Sequence, residues 1–434
     1  MALLVPARGL VIFMADGAFD VIVVGAGPAG SCMASYLGRA GVRTLLLDKA
    51  QFPRDKTCGD ALSGKSMVAI RELGLVGELE KMPHARINGV LFSSPAGESF
   101  TAPFKADDPN RQGGAGYCMR RQHSDFLFFT CAKGTPNVTV RQKVQVNEVL
   151  FEDGRAMGVK GIDLAAEGRP SLEFRAKVIV GADGMNSAVA RSVLGEGAAA
   201  LDPRHSCDAL RAYYGGIGGL GDNIEIHFLP SCMPGYFWIF PLENGTANVG
   251  IGMLSAELQE KMKKEGVNLI AIFNQAIANE PLLRERFKNA KALGPITGWR
   301  LPFGSTRRQL AGDGWVLTGD AGSLVDPFSG EGVGNATLSA RLAARVIADA
   351  LKSGDVSRAS LERYEKELWN ELGPELSTSY RMQRLGKVHW IVNRVVHKAI
   401  TDREFANFVS ASLSNEEAKK TFASPLFYLK LLLP

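Results

Sequence analysis

The chain has 434 residues, of which 46% are hydrophobic and 22% charged, with a formal net charge of +5. A chain of that length can bury a large core and suggests about two or three domains, while the mixed, unclustered charges argue against a nucleic-acid partner. The six cysteines show neither CxxC nor Cys/His metal spacing, so a reducing cytoplasmic setting and no metal site are expected, and Leu10–Phe13 is too short to span a bilayer.

Residues 19–49 read FDVIVVGAGPAGSCMASYLGRAGVRTLLLDK. Asp20–Val24 is a short β-branched apolar run, expected to be a buried parallel strand. Gly25, Gly27, Pro28, Ala29 and Gly30 follow at once. Gly25 allows the tight turn, Gly27 lets a pyrophosphate approach the backbone, and Gly30 lets the next helix pack on the strand, with the amides of its first turn facing the phosphate. Ala34, Leu37 and Ala40 suit one face of that helix, Gly41 ends it, and Val42–Leu47 returns as a strand. Asp48, with Lys49 beside it, closes the strand about twenty residues after the glycines, where a carboxylate bonds ribose hydroxyls. Strand, glycines, helix, strand and acid in this order predict a dinucleotide site. The first strand begins soon after Met14, so the domain is expected to start there, with the preceding residues as an extension.

Residues 51–63 are rich in turn formers and short of periodic apolar residues, which predicts a loop lying on something else. Lys65–Leu79 reads as a helix with a break near Gly74, and Asn88–Ser94 and Glu98–Ala102 as a strand pair around the turn Ser94–Gly97. Tyr117 ends a strand that enters a helix running to about Lys133. Short alternating strands follow at Val138–Arg141, Gln145–Phe151, Ala156–Asp163 and Leu172–Phe174, a meander expected to join the main sheet. Ala176–Val180 resumes the buried type and ends in Asp183 and Gly184 before a helix over Asn186–Arg191. Strands at Ala209–Tyr214, Asn223–Leu229, Gly235–Pro241 and Thr246–Met253, then a helix over Glu257–Asn279, predict a second domain, an antiparallel sheet covered on one side by helices. Its strands can wall a pocket. A third glycine-rich strand-turn-helix runs from Gly314 to Asn335 through Asp320, with a long helix to about Leu351. Helices are expected over Ser360–Leu385, Val388–Ile400 and Asp402–Phe422, and the tail Leu426–Leu433 is apolar except for Lys430.

Three glycine turns at these distances resemble the flavoprotein superfamily of para-hydroxybenzoate hydroxylase, in which separated segments touch one FAD. The resemblance implies an α/β fold: a Rossmann-type FAD-binding domain (14–84, 110–205 and 302–355), an inserted antiparallel-sheet substrate domain (85–109 and 206–301) and a C-terminal helical region (356–434). It places Gly25, Gly27, Pro28, Ala29, Gly30, Asp48 and Lys49 at the ADP half, and Asp183, Gly184 and Asp320 in the family's DG and GD motifs. Pro327, Gly330, Gly332 and Val333 fall where backbone would meet the flavin ring, with a helix N-terminus to stabilise negative charge on its reduced form. Arg121, four residues before Asp125, is similar to the arginine of an R-x-x-F-D pattern. Ser124 replaces the aromatic residue, so that role falls to Arg121 or to Arg120.

Two further stretches are similar to the geranylgeranyl reductases. Cys58, Gly59 and Asp60 resemble their cysteine-glycine motif, and Tyr236, Trp238 and Phe240 with Gly250 and Gly252 resemble their Y-x-W and G-x-G substrate pocket. The resemblance implies saturation of isoprenoid double bonds, with hydride from reduced FAD, a proton added to the neighbouring carbon, Cys58 at the reactive face and the other seven residues around a prenyl lipid. NADPH or ferredoxin is the expected electron donor. The bland alternatives are that Cys58 is a small buried hydrophobe and that the aromatic residues pack a core. The rival functions are an FAD monooxygenase or halogenase of an aromatic substrate, whose W-x-W-x-I-P signature has no closer match than YFWIFP, and a non-catalytic carrier of electrons or lipid. The apolar tail reads either as docked on the body or as a peripheral contact with the inner face of the membrane.

Overall fold

The structure, a computed structural model, describes residues 12–13, 19–62, 64–104 and 116–412. An apolar run without alternation is stable where both of its faces are covered, and in Phe19–Val24 the side chains of Val21, Ile22 and Val23 are fully buried. This strand lies inside a nine-stranded sheet ordered Val144–Glu152, Arg155–Asp163, Ser171–Gly181, Phe19–Val24, Thr44–Asp48, Val138–Gln142, with Ile12–Phe13 and the hairpin of Ala311–Gly312 and Trp315–Leu317 attached through Ser171–Gly181. Phe19–Val24 pairs in parallel with both of its neighbours. Helix Pro28–Arg39 returns the chain over the sheet and packs against Val333–Ser353.

The meander joins the main sheet as expected, with one difference. Where two strands were expected, at Leu172–Phe174 and Ala176–Val180, there is one of 11 residues. Its first half pairs antiparallel with Arg155–Asp163 and its second half parallel with Phe19–Val24. The shift from alternating to continuous apolar residues marks a change of neighbours rather than a break in the chain.

The second sheet has eight strands, ordered Lys291–Ala292, Ser206–Gly215, Thr246–Leu254, Gly235–Pro241, Asn223–His227, Gly89–Ser93, Ser99–Pro103, with Thr297–Pro302 also paired to Ser206–Gly215. It is antiparallel save for one pairing, since Asn223–His227 runs parallel to Gly89–Ser93. These two strands are joined through the other domain rather than by a hairpin, so no tight turn forces them antiparallel. Phe237, Ile239, Val249 and Ile251 point away from the first domain and pack on Phe273 and its neighbours. The covering helix is divided into Ser255–Glu265 and Leu269–Asn279. Gly266 turns left-handed at φ +69°, and the Asn268 side chain accepts from the Ala271 amide at 2.9 Å, capping the second piece.

Helix Arg358–Leu385 buries Leu361, Tyr364, Leu368, Leu372 and Leu376 in the same core as the parallel sheet. The C-terminal helical region therefore begins as part of the first domain's packing, with no break near residue 356. His389–Thr401 and Arg403–Ser412 pack on Ser99–Pro103, the edge strand of the second sheet. The remainder of the expected last helix and the tail Leu426–Leu433 lie outside the described residues, as does Met14.

Candidate active site

A Cβ on Gly25 (φ +97°) would stand 2.4 Å from the Ala182 carbonyl oxygen, and one on Gly30 would stand 1.7 Å from the Gly25 carbonyl oxygen. Protein backbone fills the space a side chain would need at both positions. Gly27 is different: its φ is −68°, and the nearest atom to an added Cβ is Arg54 Nη2 at 3.7 Å. Neither conformation nor packing asks for glycine there. The open space belongs to a cavity of about 2100 Å³ walled in part by Gly25, Gly27, Pro28 and Ala29. A glycine with no internal reason to be one, at a helix N-terminus that no side chain caps, fits the close approach of a phosphate.

Asp48 is held at the same wall, next to Lys49, by accepting from the Ala26 and Ala50 amides at 2.7 Å each. Arg54 and Arg121 converge on Asp125, with Arg54 Nη1 at 2.5 Å and Arg121 Nε and Nη2 at 2.6 and 2.9 Å from its carboxylate oxygens. Burial opposes the charge on Asp125, yet the two guanidinium groups hold its carboxyl below the usual range. Two cations on one anion leave positive charge at the cavity wall, suited to a pyrophosphate. Arg121 lines the cavity. Arg120, one residue before the helix Arg121–Gly134, turns instead to Glu243 at 2.9 Å and to the Tyr213 ring.

Asp183 accepts from the Ser187 hydroxyl and, at 2.8 Å, from the Ala188 amide, and Ser187 in turn caps helix Ala188–Leu194 by accepting from the Ala190 amide at 2.8 Å. Burial raises its carboxyl. With Gly184 it lines the cavity, as do Asp320, Gly330, Gly332 and Val333. Asp320 lies 3.7 Å from Lys56 Nζ. Pro327 departs from expectation: it does not line the cavity, and its carbonyl accepts from Gln383 on the helix behind. The N-terminus of Val333–Ser353 also has an internal partner, since the Gly334 amide donates to Glu331 at 2.6 Å. The glycine cradle, the carboxylates and the paired arginines fit FAD.

The same cavity continues along the second sheet. Alternation sends Tyr236, Trp238 and Phe240 into it and Phe237 and Ile239 away from it. Register adds Ile226 opposite Trp238 and Phe92 beside Ile226. Gly250 and Gly252 stand opposite Trp238 and Tyr236 but do not line the cavity. A Cβ on Gly250 would meet Trp238 Cζ2 at 2.1 Å. The indole lies over that glycine and donates from Nε1 to Asn248 Oδ1 at 2.9 Å. Gly250→Ala is therefore expected to displace the ring, lower stability by about 1–3 kcal/mol in thermal melts and shift the tryptophan emission. An unchanged melt and spectrum would show that the ring does not depend on this gap.

The loop carrying Cys58 is tied across this sheet. Arg211 pairs with Asp55, Thr57 Oγ1 meets Thr297 Oγ1 at 3.0 Å, and Asn248 Nδ2 donates to the Cys58 carbonyl at 2.6 Å. Asp60 ends the loop with a left-handed backbone (φ +70°) and is 1% exposed. Its carboxylate accepts from Tyr213 OH (3.0 Å), Asn248 Nδ2 (2.8 Å) and the Arg121 amide (3.2 Å), and burial pushes its pKa up to about 6. Cys58 is half-buried and lines the cavity with Gly59 and Asp60, close to Lys56 and Arg121. Burial lowers the pKa of Lys56, whose ammonium lies 4.8 Å from the centre of the Trp299 ring. Tyr236 OH donates to the Ser329 carbonyl and so joins the sheet to the glycine-rich loop.

Sequence reasoning did not single out Arg54, Arg211, Tyr213 or Asn248. The available signal for Arg211 and Asn248 was a single arginine and a single asparagine in the middle of two strands rich in apolar residues, SCDALRAYYG and TANVGIGML, since a buried polar side chain needs a partner.

Comparison with known proteins also points to FAD. The FAD binding domain family matches residues 18–368. Digeranylgeranylglycerophospholipid reductase 2 of Methanopyrus kandleri is 28% identical, covering 85% of this chain and 86% of its own. Menaquinone reductase of Mycobacterium tuberculosis is 31% identical, covering 79% of each. A geranylgeranyl bacteriochlorophyll reductase-like protein of Thermoplasma acidophilum has the same fold, with a TM-score of 0.78 at 22% identity over 93% of this chain and 98% of its own. The flavin-dependent brominase Bmp2 also shares the fold, with a TM-score of 0.72 at 22% identity over 95% and 99%. The chain belongs to the FAD binding domain family and is an FAD-dependent oxidoreductase whose relatives within that family include geranylgeranyl lipid reductases.

Proposed function

We propose that this protein saturates carbon-carbon double bonds of a geranylgeranyl or other polyprenyl lipid. The observation that carries the reading is the continuity of one cavity from the glycine cradle to the aromatic sheet face. Its volume of about 2100 Å³ exceeds the roughly 300–1,000 Å³ of a pocket for one small ligand, leaving room for a dinucleotide and a long apolar chain together. When bound, reduced FAD supplies hydride. Tyr236, Trp238 and Phe240 hold the chain and exclude water, while the polar links at Asp55, Thr57, Cys58 and Asp60 hold the Cys58 loop over the slot. An isolated alkene has no carbonyl to polarise, so the second requirement is a proton at the carbon next to the one receiving hydride. Cys58 is our candidate to deliver it.

The names of two relatives specify a digeranylgeranyl glycerophospholipid and a menaquinone, so the head group is left general here. NADPH or ferredoxin would recharge the flavin. The test is anaerobic reduction followed by addition of a prenyl lipid: reoxidation by the lipid, with product gaining two hydrogens per bond, supports the reading. Oxygen-dependent NADPH oxidation stimulated by an aromatic substrate, with no lipid product, would instead place the protein with the monooxygenases and halogenases. Cys58→Ala is expected to slow alkene reduction by about a hundredfold with FAD content unchanged. Full activity in that variant would remove the thiol from the chemistry.

A further inference from the structure

We propose that the segment from Arg384 to Thr401 is a docking surface for an anionic lipid bilayer, set beside the apolar end of the cavity. The proposal rests on the reading above that the substrate is a prenyl lipid. From Leu376 to Thr401 the sequence carries five Lys or Arg (Arg381, Arg384, Lys387, Arg394, Lys398), two His and no Asp or Glu, whereas the whole chain is nearly balanced at 50 basic and 45 acidic residues. Lys387, Val388, His389 and Trp390 are four successive exposed residues. Trp390, at 56%, is the most exposed of the large hydrophobic side chains among the described residues. Glu257 and Glu98, from neighbouring elements, pair with Lys387 and His397. An indole among cations matches the headgroup layer of an anionic membrane, where the ring meets the acyl boundary and the cations meet phosphate.

Placement in the fold gives this surface a purpose. Met382, one helix earlier, lines the cavity and also belongs with Phe100, Val395, Phe405, Phe408 and Val409 to one apolar cluster. Phe100 stacks at 5.6 Å on Phe92, another cavity residue. Helix His389–Thr401 is thus fastened through Val395 to the cluster that includes the cavity residue Met382. Among the described residues no helix is long and apolar enough to cross a membrane, and the contact proposed is at the surface. A lipid drawn from a bilayer at Trp390 would meet this apolar cluster on its way to the slot.

The test uses the full chain and sedimentation with phosphatidylcholine vesicles, with or without about one third phosphatidylglycerol. Wild type is expected to bind the anionic vesicles and to release them as salt rises. A Val388→Ser, Trp390→Ser double variant should bind on the order of tenfold less, and Arg384→Ala roughly fivefold less. Both should keep their circular dichroism and their rate on a detergent-dispersed prenyl substrate. Equal binding by wild type and variants, or equal binding to neutral and anionic vesicles, overturns the proposal. A protein that saturates prenyl lipid but ignores vesicles refutes this surface alone. One that binds vesicles through Trp390 but saturates nothing refutes the reductase reading instead.

Discussion

Gly30→Ala is expected to give a colourless protein. The added Cβ would stand 1.7 Å from the Gly25 carbonyl oxygen, an overlap between backbone and a side-chain root that no rotamer relieves. The strand end and the helix start have to separate, at a cost above about 3 kcal/mol, and the turn that presents Gly27 moves with them. Gly25→Ala should act alike, because it adds a left-handed φ of +97° to a 2.4 Å approach to Ala182. Flavin absorbance after purification, and FAD affinity by titration, should fall by about a hundredfold or more. Loss of fold would mimic this, so Gly27→Ala is the companion variant. Its Cβ meets nothing closer than 3.7 Å, so its melting temperature without FAD should match that of FAD-free wild type while FAD affinity falls. If Gly27→Ala holds FAD as tightly as wild type, the cradle does not touch phosphate as we describe.

Removing the Asp60 carboxylate is the second large effect. Asp60→Ala strands the Tyr213 hydroxyl and one Asn248 N–H in the interior, and puts alanine at φ +70°. The cost is about 2–4 kcal/mol, with the Cys58 loop released. Asp60→Asn keeps a residue tolerant of that backbone and one acceptor, so it should fold. The pH behaviour then separates charge from shape. The folded pKa of about 6 lies above the ordinary 3.8, so between those values the folded state holds more protons than the unfolded one. The stability this contributes is complete below about 3.8 and is lost as pH rises through about 6, roughly 3 kcal/mol in all. Asp60→Asn does not titrate, so its melting temperature relative to wild type should rise from about pH 4 to pH 7.

Turnover should run the other way. The ionised carboxylate accepts from all three donors and holds the loop, so wild-type alkene reduction should fall below about pH 6, a limb that Asp60→Asn lacks. Arg121, Arg211, Tyr213 and Cys118 lie beside Asp60, and arginine, tyrosine and cysteine side chains ordinarily titrate above pH 8. Parallel pH profiles for both proteins would refute this role.

Much of this architecture was legible along the chain. Strand, turn and helix around Gly25, Gly27 and Gly30 are encoded within about thirty residues by apolar periodicity and glycine placement, and near-neighbour interactions decide such units. The alternation of Tyr236, Trp238 and Phe240 with Phe237 and Ile239 likewise announced one face against another, and the resemblance to the reductases named the face that lines the cavity. The same local reading split Ser171–Gly181 in two, because a strand that changes neighbours halfway has two burial patterns and no sequence mark to join them.

Other features needed the folded chain, because they depend on distance across it. The fold turned Arg121, at the start of its helix, to the cavity and Arg120, just before it, to Glu243, a choice left open along the chain by Ser124 standing where the pattern has an aromatic residue. Sheet register brought Asn248 and Tyr213 to Asp60 from more than 150 residues away, and packing moved Pro327, Gly250 and Gly252 behind the wall they were expected to form. Periodicity is a property of neighbours along the backbone, and it suffices for strands, helices and a phosphate cradle. Contacts between distant segments depend on how those pieces pack, and in this protein they position the cysteine loop, its buried acid and the aromatic face of the cavity.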